Sequence, residues 1–128
     1  MGPRPGLTAT VTMQVSDADT ACAFHSGDVD VLATPRVIAL AEEASIKAID
    51  GSLAKGMTTV GYRVQFDHLA PVAPGGTVQA EATLESVEGK RLTFRVSVTD
   101  THGGLVAAGR ITRVSVERGR FLEKAAGA

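Results

Sequence analysis

One stretch of this chain, Val31 to Ile49, sustains a helical period, and every other long segment alternates with a period of two. That combination asks for one helix laid on antiparallel strands, an α+β chain. The pair Thr34-Pro35 marks the start, with a hydroxyl able to cap and a proline suited to the first helical position. Val37, Ile38, Ala41, Ala44, Ser45, Ala48 and Ile49 share one face, while Arg36, Glu43, Lys47 and Asp50 share the other. Glu43 and Lys47 have the spacing of a favourable pair. Glu42 does not join them: it lies about 100° round the helix, beside apolar positions. A carboxylate there is costly unless it has a partner.

The remaining segments read as strands. Leu7 to Val15 alternates apolar and threonine-rich positions. Ser16 to Asp30 has turn formers with no sustained period, which predicts a loop with room for one helical turn. The helix should stop at Asp50-Gly51. From Met57 to Asp67, Val60, Tyr62, Val64 and Phe66 form the expected inward row, and the same parity carries His68 onto it. Pro71, Pro74, Gly75 and Gly76 then break the chain. Val78, Ala80, Ala82 and Leu84 mark the next strand, Glu88-Gly89 a tight turn, and Leu92, Phe94, Val96 and Val98 the returning strand. Leu105 to Val116 is the last, with a parity around Gly109 that leaves the directions of Arg110 and Arg113 open. The prediction is an α+β chain in which a curled antiparallel sheet wraps one central helix, a hot-dog arrangement. Residues 1–128 should form one unit, with 1–6 and 125–128 as loose ends.

Composition narrows the function classes. Thirteen basic against fourteen acidic residues give a net charge of −1, and aromatics make up only 4%, so neither a basic nucleic-acid surface nor a stacking platform is expected. The single cysteine, Cys22, cannot form an intrachain disulfide and fits a reducing compartment. The opening residues carry no signal-like apolar run, and no segment approaches membrane-spanning length. A cytoplasmic location without membrane partners is the expectation.

Three polar side chains fall where structure alone does not ask for them: Glu42 on the buried flank of the helix, His68 in an inward row, and Thr34 at the helix mouth. Each is ordinary taken singly, as an edge glutamate, a strand-end histidine or a cap. Together they suggest an acid–base site, in which Glu42 and His68 face each other between helix and sheet. His25 and His102 lie in loops without partners at ligand spacing, so no metal is expected. Cys22 has no activating neighbour and reads as a buried, inert thiol. No GxSxG elbow is present.

The runs GDVDVLATPRVIALAEEAS, TTVGYRVQFDHLAPVAPGGTV, LESVEGKRLTFRVSV and ITRVSV, in this order, resemble the fluoroacetyl-CoA thioesterase-like branch of the hot-dog thioesterases, over roughly Val11 to Lys124. The resemblance implies a catalytic set of Thr34, Glu42 eight residues on, and His68 a further 26 residues on. It implies substrate-binding roles for Gly61, seven residues before His68, and for Arg113, which aligns with a one-residue shift. Ala21 to Val31 does not match the segment that covers the acyl pocket in the fluoroacetyl-specific member, so that acyl group is not implied.

The expectation is therefore a homodimeric acyl-CoA thioesterase acting on a small acyl thioester, with coenzyme A present only as part of the substrate. Arg110, Arg113 and Arg118 are candidates to meet the coenzyme's phosphates. The alternative is a non-catalytic acyl-thioester binding or regulatory protein on the same fold. A hot-dog enoyl-CoA hydratase is disfavoured, because the five-residue Asp-to-His gap of those enzymes is missing.

Overall fold

A computed structural model describes residues 2–127. Its elements are β1 (Thr8–Gln14), a 3₁₀ turn (Asp17–Asp19), α1 (Thr34–Ala48), β2 (Met57–His68), β3 (Thr77–Glu88), β4 (Arg91–Asp100), β5 (Leu105–Glu117) and α2 (Arg118–Ala125). The five strands form one antiparallel sheet in the order β1-β3-β4-β5-β2, so β1 and β2 are its edges. With α1 against its inner face this is the expected hot-dog fold.

The central strands follow their alternation: Val78, Ala80, Ala82 and Leu84 of β3, and Leu92, Phe94, Val96 and Val98 of β4, are all buried. Against them α1 buries Val37, Leu40, Ala41, Ala44, Ser45 and Ala48. Small residues on both surfaces let the helix approach closely, and the Ser45 hydroxyl is satisfied by donating to the Ala41 carbonyl at 2.8 Å. Leu40 belongs to this face although the helical reading left it out, and Ile38 is only half-buried. The helix lies mainly over β1 and β3 and touches β2 little. Val64 of β2 pairs with the buried Ile111 and so shares its face, yet it remains 42% exposed. The inner face is open at the β2 edge.

Three local expectations are corrected, and one direction left open is settled. Thr34 is not the cap: Ala33 holds the N-cap position, Thr34 is already helical, and its hydroxyl bonds elsewhere. The entry is instead pinned from the preceding loop, where Asp19 accepts from Arg36 Nε at 3.0 Å and its carbonyl accepts from the Ala33 N–H at 2.9 Å. Lys47 donates to the Thr10 carbonyl at 3.0 Å, tying α1 to β1 in place of the expected pairing with Glu43. The inward row of β2 is different from the one predicted. The β2–β5 register shifts between Gly61 and Arg63, leaving Tyr62 as an extra residue. Such a bulge resets the side-chain parity: Thr59 and Gly61 face the helix before it, Phe66 and His68 after it, while Tyr62 is 49% exposed. On β5 the alternation runs unbroken through Gly109, so Arg113 points inward and Arg110 outward.

The Gly6 N–H donates to the Leu84 carbonyl at 2.8 Å. Glu117 caps α2 by accepting from the N–H groups of Gly119 and Arg120. The α2 helix buries none of its residues, and eight residues gave no readable period.

Candidate functional site

Two polar clusters flank α1. The first joins Thr34, in the first turn of α1, to His68, the last residue of β2. Thr34 Oγ1 and His68 Nδ1 are 2.8 Å apart. They border a cavity of about 320 Å³, with Leu32, Leu69 and the loop residues Asp28 and Val29 also lining it. The loop is fastened by a bridge between Thr20 and Leu32 and by the Leu32 N–H donating to Val72 O. His68 Nε2 is buried and has no hydrogen-bond partner among the described residues.

The second cluster is built on Glu42. Its Oε2 accepts from Arg113 Nη1 at 2.8 Å. Arg113 is only 6% exposed, and its other donors go to Thr59: Nε to Oγ1 and Nη2 to the carbonyl, each at 2.9 Å. Burial lowers the guanidinium pKa, and the Glu42 carboxylate opposes that shift. The charge that looked misplaced in the helix therefore has a partner, 71 residues away in sequence. Gly61 stands directly across from it. A Cβ on Gly61 would lie 2.8 Å from Glu42 Oε2, so the missing side chain makes room for the carboxylate.

Glu42 and His68 do not meet. They line different clefts, and two turns of helix separate Thr34 from Glu42 by about 12 Å along the axis. The expectation of a Glu42–His68 pair inside one chain is corrected: the direct partners are Arg113 for Glu42 and Thr34 for His68. The substrate-binding expectation for Arg113 changes too, since its guanidinium is engaged by Glu42 and Thr59. Thr59 went unrecognised because it stood on the row expected to face solvent. Only the bulge after it could have revealed its direction, and period-two patterning carries no signal for a bulge.

Other candidates drop away. Arg110 is held by Glu85 at 2.8 Å on the outer face, a contact that raises its pKa and lowers that of Glu85. Cys22 is exposed where a buried thiol was expected, and a hydrogen bond to Asp30 raises its pKa. Among the described residues no group of three or more His, Cys, Asp or Glu could hold a metal ion. None of the described helices is long and apolar enough to cross a membrane.

Known proteins share this architecture. The family model described as fluoroacetyl-CoA-specific thioesterase matches residues 15–119. A fluoroacetyl-CoA thioesterase of Streptantibioticus cattleyicolor is 39% identical over 71 residues, a match covering 56% of this chain and 51% of that protein. The matched part thus spans about half the length of that curated relative. The solved structure of the fluoroacetyl-CoA thioesterase FlK superposes with a TM-score of 0.92 at 28% identity, covering 99% of this chain and 98% of the other. Variants of that relative have been solved with acetyl-CoA and with fluoroacetate and CoA. A thioesterase superfamily member from Thermus thermophilus superposes with a TM-score of 0.88 at 28% identity, covering 96% and 91% of the two chains.

Proposed function

The chain belongs to the fluoroacetyl-CoA-specific thioesterase family, and on that premise we propose that it hydrolyses a small acyl-CoA to the free acid and CoA at a site completed by a second copy. The observation that carries this reading is the Glu42 carboxylate: part-buried, held through one oxygen by Arg113, and faced by a glycine. That arrangement leaves Oε1 free to act. As a general base it takes a proton from water, whose oxygen adds to the thioester carbonyl carbon. The tetrahedral intermediate then breaks its C–S bond, and the departing thiolate takes up a proton. As a nucleophile, Oε1 adds directly to the carbonyl carbon, and the C–S bond breaks to expel the CoA thiolate, which takes up a proton. Water then opens the resulting acyl anhydride. Single turnover in ¹⁸O-water tests the second route: water opening the anhydride at the Glu42 carboxyl carbon leaves label in that carboxyl, which the general-base route never does.

Thr34 and His68 supply the complement. A buried N–H without an acceptor is costlier and rarer than an under-used acceptor. The unpartnered Nε2 therefore favours the tautomer with its proton on Nδ1, which donates to Thr34 Oγ1. The exposed Thr34 hydroxyl keeps its own proton, free to donate to the carbonyl oxygen as negative charge develops there. His68 then acts through Thr34. The cavity beside the pair, about 320 Å³, suits a small acyl group.

Within one chain these groups stand too far apart for a single thioester carbon. The 12-residue edge strand β2, with Val64 and Tyr62 exposed, is the surface on which a second copy would seat. That copy would bring its own Thr34 and His68 towards Glu42, making a homodimer the active form. The reading uses no metal and no cofactor apart from the CoA of the substrate, and it fits a cytoplasmic enzyme.

The test is thiol release from a panel of short acyl-CoA thioesters by the wild type, Glu42→Gln and Glu43→Gln. Glu42→Gln should lose roughly 10²–10⁴ in kcat. It should also melt lower, because Arg113 loses its counter-charge. Glu43 is exposed and makes no ion pair with Lys47, so Glu43→Gln should stay within about twofold of wild type. Acyl-CoA binding without thiol release by the wild type would instead establish the non-catalytic alternative.

A further inference from the structure

The walls of the cavity beside Thr34 and His68 differ in chemistry. Leu32, Leu69 and Pro71 make one part apolar, while the loop that the Thr20–Leu32 bridge closes contributes Ser26, Gly27 and Asp28. That loop is held in shape by its own backbone. The Ala21 N–H donates to the Val31 carbonyl at 2.9 Å, the Ser26 N–H to the Ala21 carbonyl at 3.0 Å and the Phe24 N–H to the Thr20 carbonyl at 3.0 Å. Gly27 packs so closely that a Cβ there would come within 3.2 Å of the Ala21 Cβ. Asp28 is therefore part of a fixed wall. Among the described residues its carboxylate forms no salt bridge, and no lysine or arginine borders the cavity. Arg36, the cation in the first turn of α1, is engaged by Asp19.

We propose that the acyl group this cavity takes ends in a hydrogen-bond donor, an ammonium in preference to a hydroxyl, and that Asp28 selects it. The proposal deepens the thioesterase reading and rests on it. An acyl chain ending in methyl would press hydrocarbon against an unpaired carboxylate and strip it of water without replacing the lost hydrogen bonds. A chain ending in a carboxylate would meet a like charge with no cation to answer it, and Asp30 adds a second negative charge to the same loop. His68 does not change this balance: with its Nδ1 proton given to Thr34, it borders the cavity as a neutral ring with a bare Nε2 acceptor. The side chains on the polar part of the wall are thus rich in acceptors. A ligand that brings its own donor satisfies them, and an ammonium does so with a charge-assisted bond. The apolar part, with Leu32 and Leu69, suits the methylenes between that donor and the thioester carbon.

The test uses CoA thioesters of one length and nearly one shape: butyryl, 3-hydroxypropionyl and 3-aminopropionyl, which end in methyl, hydroxyl and ammonium. Malonyl-CoA supplies the anionic end. At neutral pH the wild type should rank them amino, hydroxy, butyryl, malonyl in kcat/KM. The first should exceed butyryl by about fivefold, the scale of one solvent-accessible ion pair. Asp28→Asn keeps the shape and removes the charge, so it should bring the amino-to-butyryl ratio to about one, as should Asp28→Ser. Added salt should shrink the ratio in the wild type alone. Asp28 is exposed, and melting curves check that both variants fold. Hydrolysis of butyryl- or malonyl-CoA as good as that of 3-aminopropionyl-CoA by the wild type overturns the proposal and leaves the thioesterase reading standing. So does an amino preference that survives both substitutions, since another group would then supply it. If the wild type releases thiol from none of the four, calorimetric binding of the same thioesters decides. An Asp28-dependent preference for 3-aminopropionyl-CoA would then uphold the selectivity of the cavity while refuting the thioesterase reading, and its absence would overturn both.

Discussion

Replacing Gly61 with alanine adds one methyl group at the point where the structure leaves least room for it. The new Cβ would lie 2.8 Å from Glu42 Oε2 and 3.9 Å from Arg113 Nη1, whereas ordinary van der Waals contact begins near 3.4 Å. The carboxylate must therefore withdraw by about 0.6 Å, the difference between those distances, or swing away from Arg113. The backbone at Gly61 is not in the left-handed region, so alanine adds no dihedral strain. The obstacle is the end of a flexible side chain on a part-open cleft, and relief by rotation limits the cost in stability to about 1 kcal/mol. Catalysis is less forgiving. Displacements near 1 Å in a reacting group can cost about 10²-fold, so kcat should fall roughly 10- to 100-fold while the melting temperature drops by about 4 °C or less. The assay is thiol release from the best acyl-CoA substrate with a melting curve for each variant. It is made sharper by a double variant: once Glu42 is glutamine, adding Gly61→Ala should cost little further rate, because both changes act through one group. A Gly61→Ala enzyme at wild-type kcat, or full additivity with Glu42→Gln, would refute the argument that this glycine exists to seat a working carboxylate.

Mixing inactive Thr34→Ala and Glu42→Gln subunits by co-expression should restore about a quarter of wild-type activity, since half the dimers are mixed and one of their two sites is intact. No recovery in verified mixed dimers would place the whole site within one chain. Thr59→Val strands the buried Arg113 Nε and should cost about 1–3 kcal/mol, lowering the melting temperature by about 4–10 °C and slowing hydrolysis, whereas Thr59→Ser should retain both. A Thr59→Val protein as stable and active as wild type would dismiss the clamp on Arg113. Asp19 is opposed by burial, but hydrogen bonds from Ser16 and Arg36 outweigh it and hold the carboxyl below its ordinary value of 3.8. Its ionised form thus contributes stability above about pH 3.8 that fades as the pH falls through the lower folded value. Asp19→Asn should accordingly melt lower than wild type at neutral pH and converge with it near pH 2, and parallel curves across that range would contradict the assignment.

The sequence by itself determined the elements whose partners follow from periodicity alone. The rows Val78-Ala80-Ala82-Leu84 and Leu92-Phe94-Val96-Val98 are buried as their alternation requires, and the chain leaves α1 through Gly51 at a φ of +79°. It also singled out Glu42, because a carboxylate on a buried helical flank contradicts the pattern around it. Tertiary structure decided what that contradiction was for. The extra residue at Tyr62 inverts the parity of β2, turning Thr59 and Gly61 towards the helix and the Tyr62 ring away from it. Alternation counts residues and cannot report where the count is reset. The inward direction of Arg113, and hence its bond to Glu42 across 71 residues, depends on how β5 registers with β2 and β4. The offset of α1 towards β1 and β3 likewise depends on how small side chains on two separate segments pack together, and this offset leaves the β2 edge open beside Glu42. Local patterns set which face each segment buries, and the non-local register and packing chose which polar groups would meet there.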